Sequence, residues 1–164
     1  MPIELKICGI NSKNIIQTII QEGGCQYLGF VFYPPSPRNL SIEKSKKLTS
    51  IVPNHIKKVA VLVKPENSFV KKIIDQFDYL QIYETSPSRS KALKIISNKK
   101  IIGPDLLIFT PGIRMNKDNK DDQQRVCTPM ESIKNGSDKI IMGRSLMKGN
   151  IEENLNQVAA SIKI

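Results

Sequence analysis

The chain has 164 residues, 40% of them hydrophobic and 24% charged, which suits one soluble globular domain, 1–164, with a sizeable core. No apolar run approaches the ~20 residues of a membrane span, and the start MPIELKICGI lacks the parts of a signal peptide, so a cytoplasmic location and no membrane partner are expected. The net charge of +10 comes largely from Lys residues scattered in pairs rather than gathered into a dense basic run, which argues against a nucleic-acid partner.

Short β-rich runs alternate with helical patterns along the chain. ELKIC (4–8) reads as a strand. Asn11 or Ser12 then caps a helix with Ile15, Ile16, Ile19 and Ile20 on one face, stopped by Gly23 and Gly24. YLGFVF (27–32) is the next strand, followed by the loop PPSPRN. Ser41 opens a helix with Ile42, Leu48, Ile51 and Val52 on its apolar side. VAVLV (59–63) is a strand, Phe69 to Phe77 a helix, and YLQIY (79–83) a strand. Residues 88–102 read as helical, and LLIF (106–109) as a strand. Thr128-Pro129-Met130-Glu131 is a capping box with Pro at the first helical position, and Asn135-Gly136 ends that helix. KIIM (139–142) is the last strand, and 151–162 a final amphipathic helix. Continuous apolar strands between helices indicate an α/β fold of about six parallel βα units.

Ligands of parallel α/β folds sit at the carboxyl ends of strands. That rule selects Cys8–Gly9, the PPSPRN loop, Lys64, Glu84, the TPGIR loop and Gly143–Arg144. Arginine is scarce in this Lys-rich chain (38, 89, 114, 125 and 144), and its planar fork suits carboxylate and phosphate. Two successive strand ends pair Gly with Arg, Gly112 with Arg114 and Gly143 with Arg144, and Gln123 adds an amide donor. These features lead to the expectation of a phosphate site rather than a pair of ordinary surface βα loops. Three Cys at 8, 25 and 127 form no close pair, so neither a disulfide framework nor a zinc site is expected, and the single His55 lies in a polar stretch.

Two family resemblances follow from these segments. Through LKICGI, LGFVFYPPSPRNLS, VAVLV and YLQIYE, residues 1–84 resemble phosphoribosylanthranilate isomerase, a TIM-barrel enzyme of tryptophan biosynthesis. Through LLIFTPGIR, the DQQRV run with its following TP, and IIMGRSL, residues 88–164 resemble the carboxyl-terminal part of orotidine 5′-phosphate decarboxylase, an enzyme of pyrimidine biosynthesis. The chain thus resembles an internally deleted fusion of two phosphoribosyl-handling barrels, with a partial or rearranged TIM-type barrel as the expected fold. The isomerase resemblance implies Cys8 as general base and Arg38 as the group that binds the anthranilate carboxylate. The decarboxylase resemblance implies that Arg114, Gln123, Gly143 and Arg144 grip the 5′-phosphate. Neither implies a metal or organic cofactor, and a phosphoribosyl small molecule is the expected ligand.

The departures are equally specific. The region holding the isomerase's acid, an Asp after the sixth strand, is missing, and the decarboxylase's Asp-Lys-x-x-Asp cluster has no counterpart. Glu84 is the speculative replacement acid, since it follows a strand on the same rim as Cys8. Lys6 is expected on the strand face opposite Cys8, away from its thiol. The leading activity is isomerisation of phosphoribosylanthranilate. The alternatives are a carboxy-lyase of the orotidine phosphate type and a non-catalytic phosphosugar or nucleotide-binding remnant. Unpaired strand edges in a barrel lacking units lead to the expectation of a homodimer.

Overall fold

The computed structural model describes residues 4–86, 88–89, 92–93, 100–102, 109–110, 112–115, 126–135 and 139–162. Its core is one all-parallel sheet of seven strands: β1 Glu4–Cys8, β2 Tyr27–Phe32, β3 Lys57–Val63, β4 Tyr79–Tyr83, β5 Lys100–Ile102, β6 Phe109–Thr110 and β7 Lys139–Met142. The order across the sheet is β5-β4-β3-β2-β1-β7-β6, so the earliest strand is an interior one and two consecutive strands, β5 and β6, form the edges. The sheet curls into a half-barrel. A closed barrel of this type has eight strands, and consecutive edge strands are what an interrupted one leaves.

Helices follow most strands: α1 Lys13–Glu22, α2 Ile42–Thr49, α3 Asn67–Ile73, α4 Pro129–Lys134, α5 Arg144–Met147 and α6 Ile151–Ile162. Their starts are set by local chemistry. The Ser12 and Ser41 hydroxyls accept from the amides of Ile15 and Lys44, and Thr128 and Glu131 satisfy each other's backbone N–H groups as a capping box. Among the described residues no helix is long and apolar enough to cross a membrane.

One expectation is corrected here. Lys100–Ile102 pairs with β4 as a strand instead of ending the helix expected over 88–102, which brings the strands among the described residues to seven. A three-residue strand is too short to show a period of its own, and its two Ile residues continue a helical apolar pattern equally well. Residues 88, 89, 92 and 93 are helical. The strand expected at 106–109 is observed at Phe109–Thr110, and 106–108 lie outside the described residues.

Alternation along each strand gives the sheet two unlike faces. Leu5, Ile7, Leu28, Phe30, Leu62, Leu80 and Met142 face the helices, where they pack with Ile16, Ile19, Leu48, Val70, Phe77, Leu155 and Val158. Glu4, Lys6, Cys8, Gln81, Tyr83 and Lys139 take the concave face. Near its floor, Tyr27 donates to Glu4 Oε2 (2.7 Å), which also pairs with Lys139 across the β1–β7 ladder.

Candidate functional site

At the carboxyl ends of the strands the concave face opens into a cleft of about 250 Å³. Cys8, Arg38, Tyr83, Arg114, Gly143 and Arg144 line it, with Tyr33, Ser36 and Gly112 among its other walls. Five residues singled out from the sequence (Cys8, Arg38, Arg114, Gly143 and Arg144) therefore come together, although they derive from segments far apart in the chain. No carboxylate side chain is found among the described residues that line the cleft.

Each is placed by an identifiable local device. Cys8 ends β1, half-buried, and the chain turns away through Gly9 at φ +94, with the amides of Gly9 and Ile10 both donating to the Gly29 carbonyl. Arg38 sits in the Pro-rich loop after β2. That loop is closed by turns at Tyr33–Ser36 and Ser36–Asn39 and by Leu40 N–H donating to Val31 O at 2.9 Å. The Ser36 hydroxyl also accepts from Arg38 N–H at 3.2 Å.

The Arg38 side chain lies in a trough made by two glycines. A Cβ on Gly9 would stand 2.5 Å from Arg38 Cδ, and one on Gly143 would stand 3.0 Å from Arg38 Nη1 and 2.9 Å from the Cys8 carbonyl. Any side chain at 143 would displace the guanidinium or the end of β1. This is the close approach for which glycine is suited.

The Arg114 end of the cleft is held by a short bridge between Ile113 and Cys127, in which Arg114 N–H donates to Cys127 O at 3.0 Å. Arg114 itself is buried at 7% exposure and donates from Nη1 to Ile113 O at 3.1 Å. Gly143 caps α5, which begins with the half-buried Arg144, and Ser145 Oγ ties that helix to Ile113 O. Three guanidinium groups facing one small cleft make a strongly anion-attracting surface. Gln123 lies outside the described residues.

Glu84 requires a correction. It does not line the cleft; it is exposed and pairs with Lys64 at 2.9 Å, the two side chains being 60% and 70% exposed. Lys64 and Glu84 follow paired strand ends, Val63 and Tyr83, and both adopt positive φ (43 and 51), which turns the chain at the rim.

Lys6 also departs from expectation. Residues two apart on a strand share a face, so Lys6 lies on the Cys8 side of the sheet. A Cβ on Gly29 would stand 2.9 Å from Cys8 Sγ and 3.1 Å from Lys6 Nζ, so the sum of those distances bounds the separation of the two groups. Lys6 is fully buried and donates to Gln81 Oε1 at 2.6 Å, and Gln81 Nε2 donates in turn to the Tyr83 hydroxyl. Although 41% of Tyr83 is exposed, its hydroxyl reaches the buried Gln81. Burial pushes that hydroxyl up to about 12, with charge on Cys8 adding to the rise and the Gln81 hydrogen bond opposing it. Tyr83 and Gln81 were missed from sequence. Their signal was the alternation of YLQIY, which puts both on the face that β1 gives to Lys6 and Cys8.

Comparison with known proteins places this architecture. Residues 56–157 match the model of the orotidine 5′-phosphate decarboxylase / HUMPS family. The match starts within the segment read as isomerase-like and takes in β3 and β4, so the expected boundary at 84–88 is not where decarboxylase similarity begins. The N-(5′-phosphoribosyl)anthranilate isomerase of Paramagnetospirillum magneticum is 34% identical over 98 residues, 58% of this chain and 45% of that protein. The chain spans about half the length of the curated relatives it matches. In fold, it is similar to phosphoribosyl anthranilate isomerase from Thermus thermophilus (TM-score 0.71, 14% identity, 98% of this chain and 100% of that one). It is also similar to orotidine 5′-monophosphate decarboxylase from Metallosphaera sedula (TM-score 0.59, 15% identity, 98% of each chain). The two solved structures share the barrel-type fold, and the chain belongs to the orotidine 5′-phosphate decarboxylase / HUMPS family while carrying sequence similarity to phosphoribosylanthranilate isomerases.

Proposed function

We propose that the chain binds a phosphoribosyl ligand in this cleft and isomerises phosphoribosylanthranilate. The observation that carries the reading is the meeting of Cys8 with Arg38, Arg114 and Arg144 around one cavity. The rearrangement needs an acid to protonate the ribose ring oxygen and a base to remove the C2′ proton. Cys8 is the base that takes the C2′ proton, and the buried Lys6 lies beside it on the same face of β1. Arg38 takes the substrate's carboxylate. Arg114, Gly143 and Arg144 take its phosphate through forked and backbone N–H donors, and the resemblance adds the Gln123 amide. In this reading the chain joins isomerase-like strands to a decarboxylase-like phosphate end as an internally deleted fusion, and two copies pair through the β5 and β6 edges.

The family match over 56–157 favours a second reading, an orotidine phosphate carboxy-lyase. Against it stands the absence of an Asp-Lys-x-x-Asp segment from the sequence. Complementation separates the readings. Rescue of a tryptophan auxotroph lacking the isomerase, without rescue of a uracil auxotroph, is the expected result. The reverse pattern would make the chain a decarboxylase. Phosphate binding with no rescue and no turnover by purified protein would make it a binding remnant.

A further inference from the structure

The cleft gathers cations and a thiol, yet the isomerisation also requires a proton donor. Among the described lining residues, those with O–H groups are Tyr33, Ser36 and Tyr83. Tyr83 differs in being held from beneath by a buried chain of hydrogen bonds, and the direction of that chain can be deduced. Lys6 Nζ donates at 2.6 Å, so the atom of Gln81 that meets it is the amide oxygen. The amide of Gln81 is therefore not free to flip, and its NH₂ group is the end that meets the Tyr83 hydroxyl. The hydroxyl oxygen accepts there, so its own hydrogen is committed elsewhere, and the cleft is the space that Tyr83 lines.

We infer that Tyr83 is the proton donor of the cleft, fixed by the Lys6–Gln81 pair so that its O–H addresses the ring oxygen of the bound sugar. The catalytic part of this inference rests on the isomerase reading; the hydrogen bond to the sugar does not. The Tyr83 proton passes to the ring oxygen as the C1′–O4′ bond breaks, and the Cys8 thiolate takes the C2′ hydrogen. Cys8 then returns its proton to C1′, and the 2′-hydroxyl proton passes to the Tyr83 oxygen as the C2′ carbonyl forms. Protons and electrons balance, and no external oxidant or reductant is used. Burial holds the phenol protonated throughout the neutral range, so it enters each cycle as a donor.

Tyr83→Phe removes only the hydroxyl, and the test has two arms. In calorimetric titrations, inorganic phosphate should bind wild type and variant equally, which also reports an intact fold. Ribose 5-phosphate should bind the variant roughly 2- to 12-fold more weakly, the range for one neutral hydrogen bond. In turnover of phosphoribosylanthranilate, kcat should fall by about 10²–10⁴-fold, the usual contribution of a positioned acid, while KM moves no more than the binding arm does. Equal ribose 5-phosphate affinity in the two proteins, or wild-type kcat in the variant, overturns the assignment. If the wild-type protein turns nothing over, the isomerase reading and the acid role both fail. The ribose 5-phosphate arm still decides whether Tyr83 donates to the sugar.

Discussion

The two faces of the sheet bury side chains of opposite kinds. On the helix side of β2, Phe30 is fully buried against Phe77, ring centroids 5.7 Å apart, in a cluster made of hydrocarbon. On the concave side of the neighbouring β1, Lys6 is buried as completely, but its contacts are directional: an amide oxygen, and through it a hydroxyl. Hydrocarbon packing contributes stability in proportion to area and tolerates some exchange of shape. The polar chain contributes orientation, because each donor fixes the partner of the next. The helix side holds the half-barrel together, and the concave side aims functional groups.

That contrast can be broken by substitution, and the largest effect belongs to the hydrocarbon side. Phe30→Ala should lower the free energy of unfolding by about 3–5 kcal/mol in a urea titration while leaving phosphate affinity unchanged for the folded protein. A loss of phosphate affinity in that variant would show that the two faces are coupled. On the cleft side, Arg144→Ala should weaken phosphate binding by about 1.5–3 kcal/mol with little change in melting midpoint, as removal of a charge-assisted contact requires. Equal calorimetric affinity in the two proteins would remove Arg144 from the phosphate site.

Gly29 lies where the two kinds of burial meet. Gly29→Ala would set a methyl group 2.9 Å from Cys8 Sγ and 3.2 Å from Cys8 Cα, so it should destabilise by about 1–3 kcal/mol and slow thiol labelling of Cys8 together. Normal labelling would mean that strain does not reach the cleft. Cys25 sharpens the comparison from the helix side, where burial raises its thiol from 9.0 to about 11. The folded state holds that proton more tightly than the unfolded chain does. The resulting stabilisation is complete below pH 9 and disappears as pH rises toward 11. Wild-type stability should therefore fall more steeply across that window than stability of Cys25→Ala. Parallel curves would place Cys25 outside the core. The smallest effect is expected at Glu84, whose exposed pairing with Lys64 predicts unchanged turnover and melting midpoint for Glu84→Gln. A large drop in kcat would restore it as the acid.

Much of this was legible in the residues. The alternation of apolar strands with capped helices specified a parallel sheet; Ser41 and Thr128 cap helices as expected, and of the two candidates Asn11 and Ser12 it is Ser12 that caps the first. The rule that ligands gather at strand ends placed Cys8, Arg38, Arg114, Gly143 and Arg144 at one cleft. Less legible was anything that depends on which strands are neighbours. Gln81 and Tyr83 gain meaning only when β4 curls round to bring them toward Lys6, a partner 75 positions away from Gln81 in sequence. Glu84 was misplaced because a single left-handed residue reverses a side chain's direction without leaving a mark in composition. Lys6 was misplaced by setting aside the two-residue period that its own strand displays.

The interior position of β1 has a consequence for how the protein is made. One flank of this strand pairs with β2, which emerges soon afterwards, while the other flank pairs with β7, and the Glu4–Lys139 contact spans 135 positions. During synthesis the β7 side of β1 stays unsatisfied until most of the chain has left the ribosome. Closure of so long a loop is slow, and an unpaired strand edge invites intermolecular pairing while it waits. The last described strand to arrive is thus the one that covers the open flank of β1, and the cleft with its Gly143–Arg144 wall comes into being in the same event.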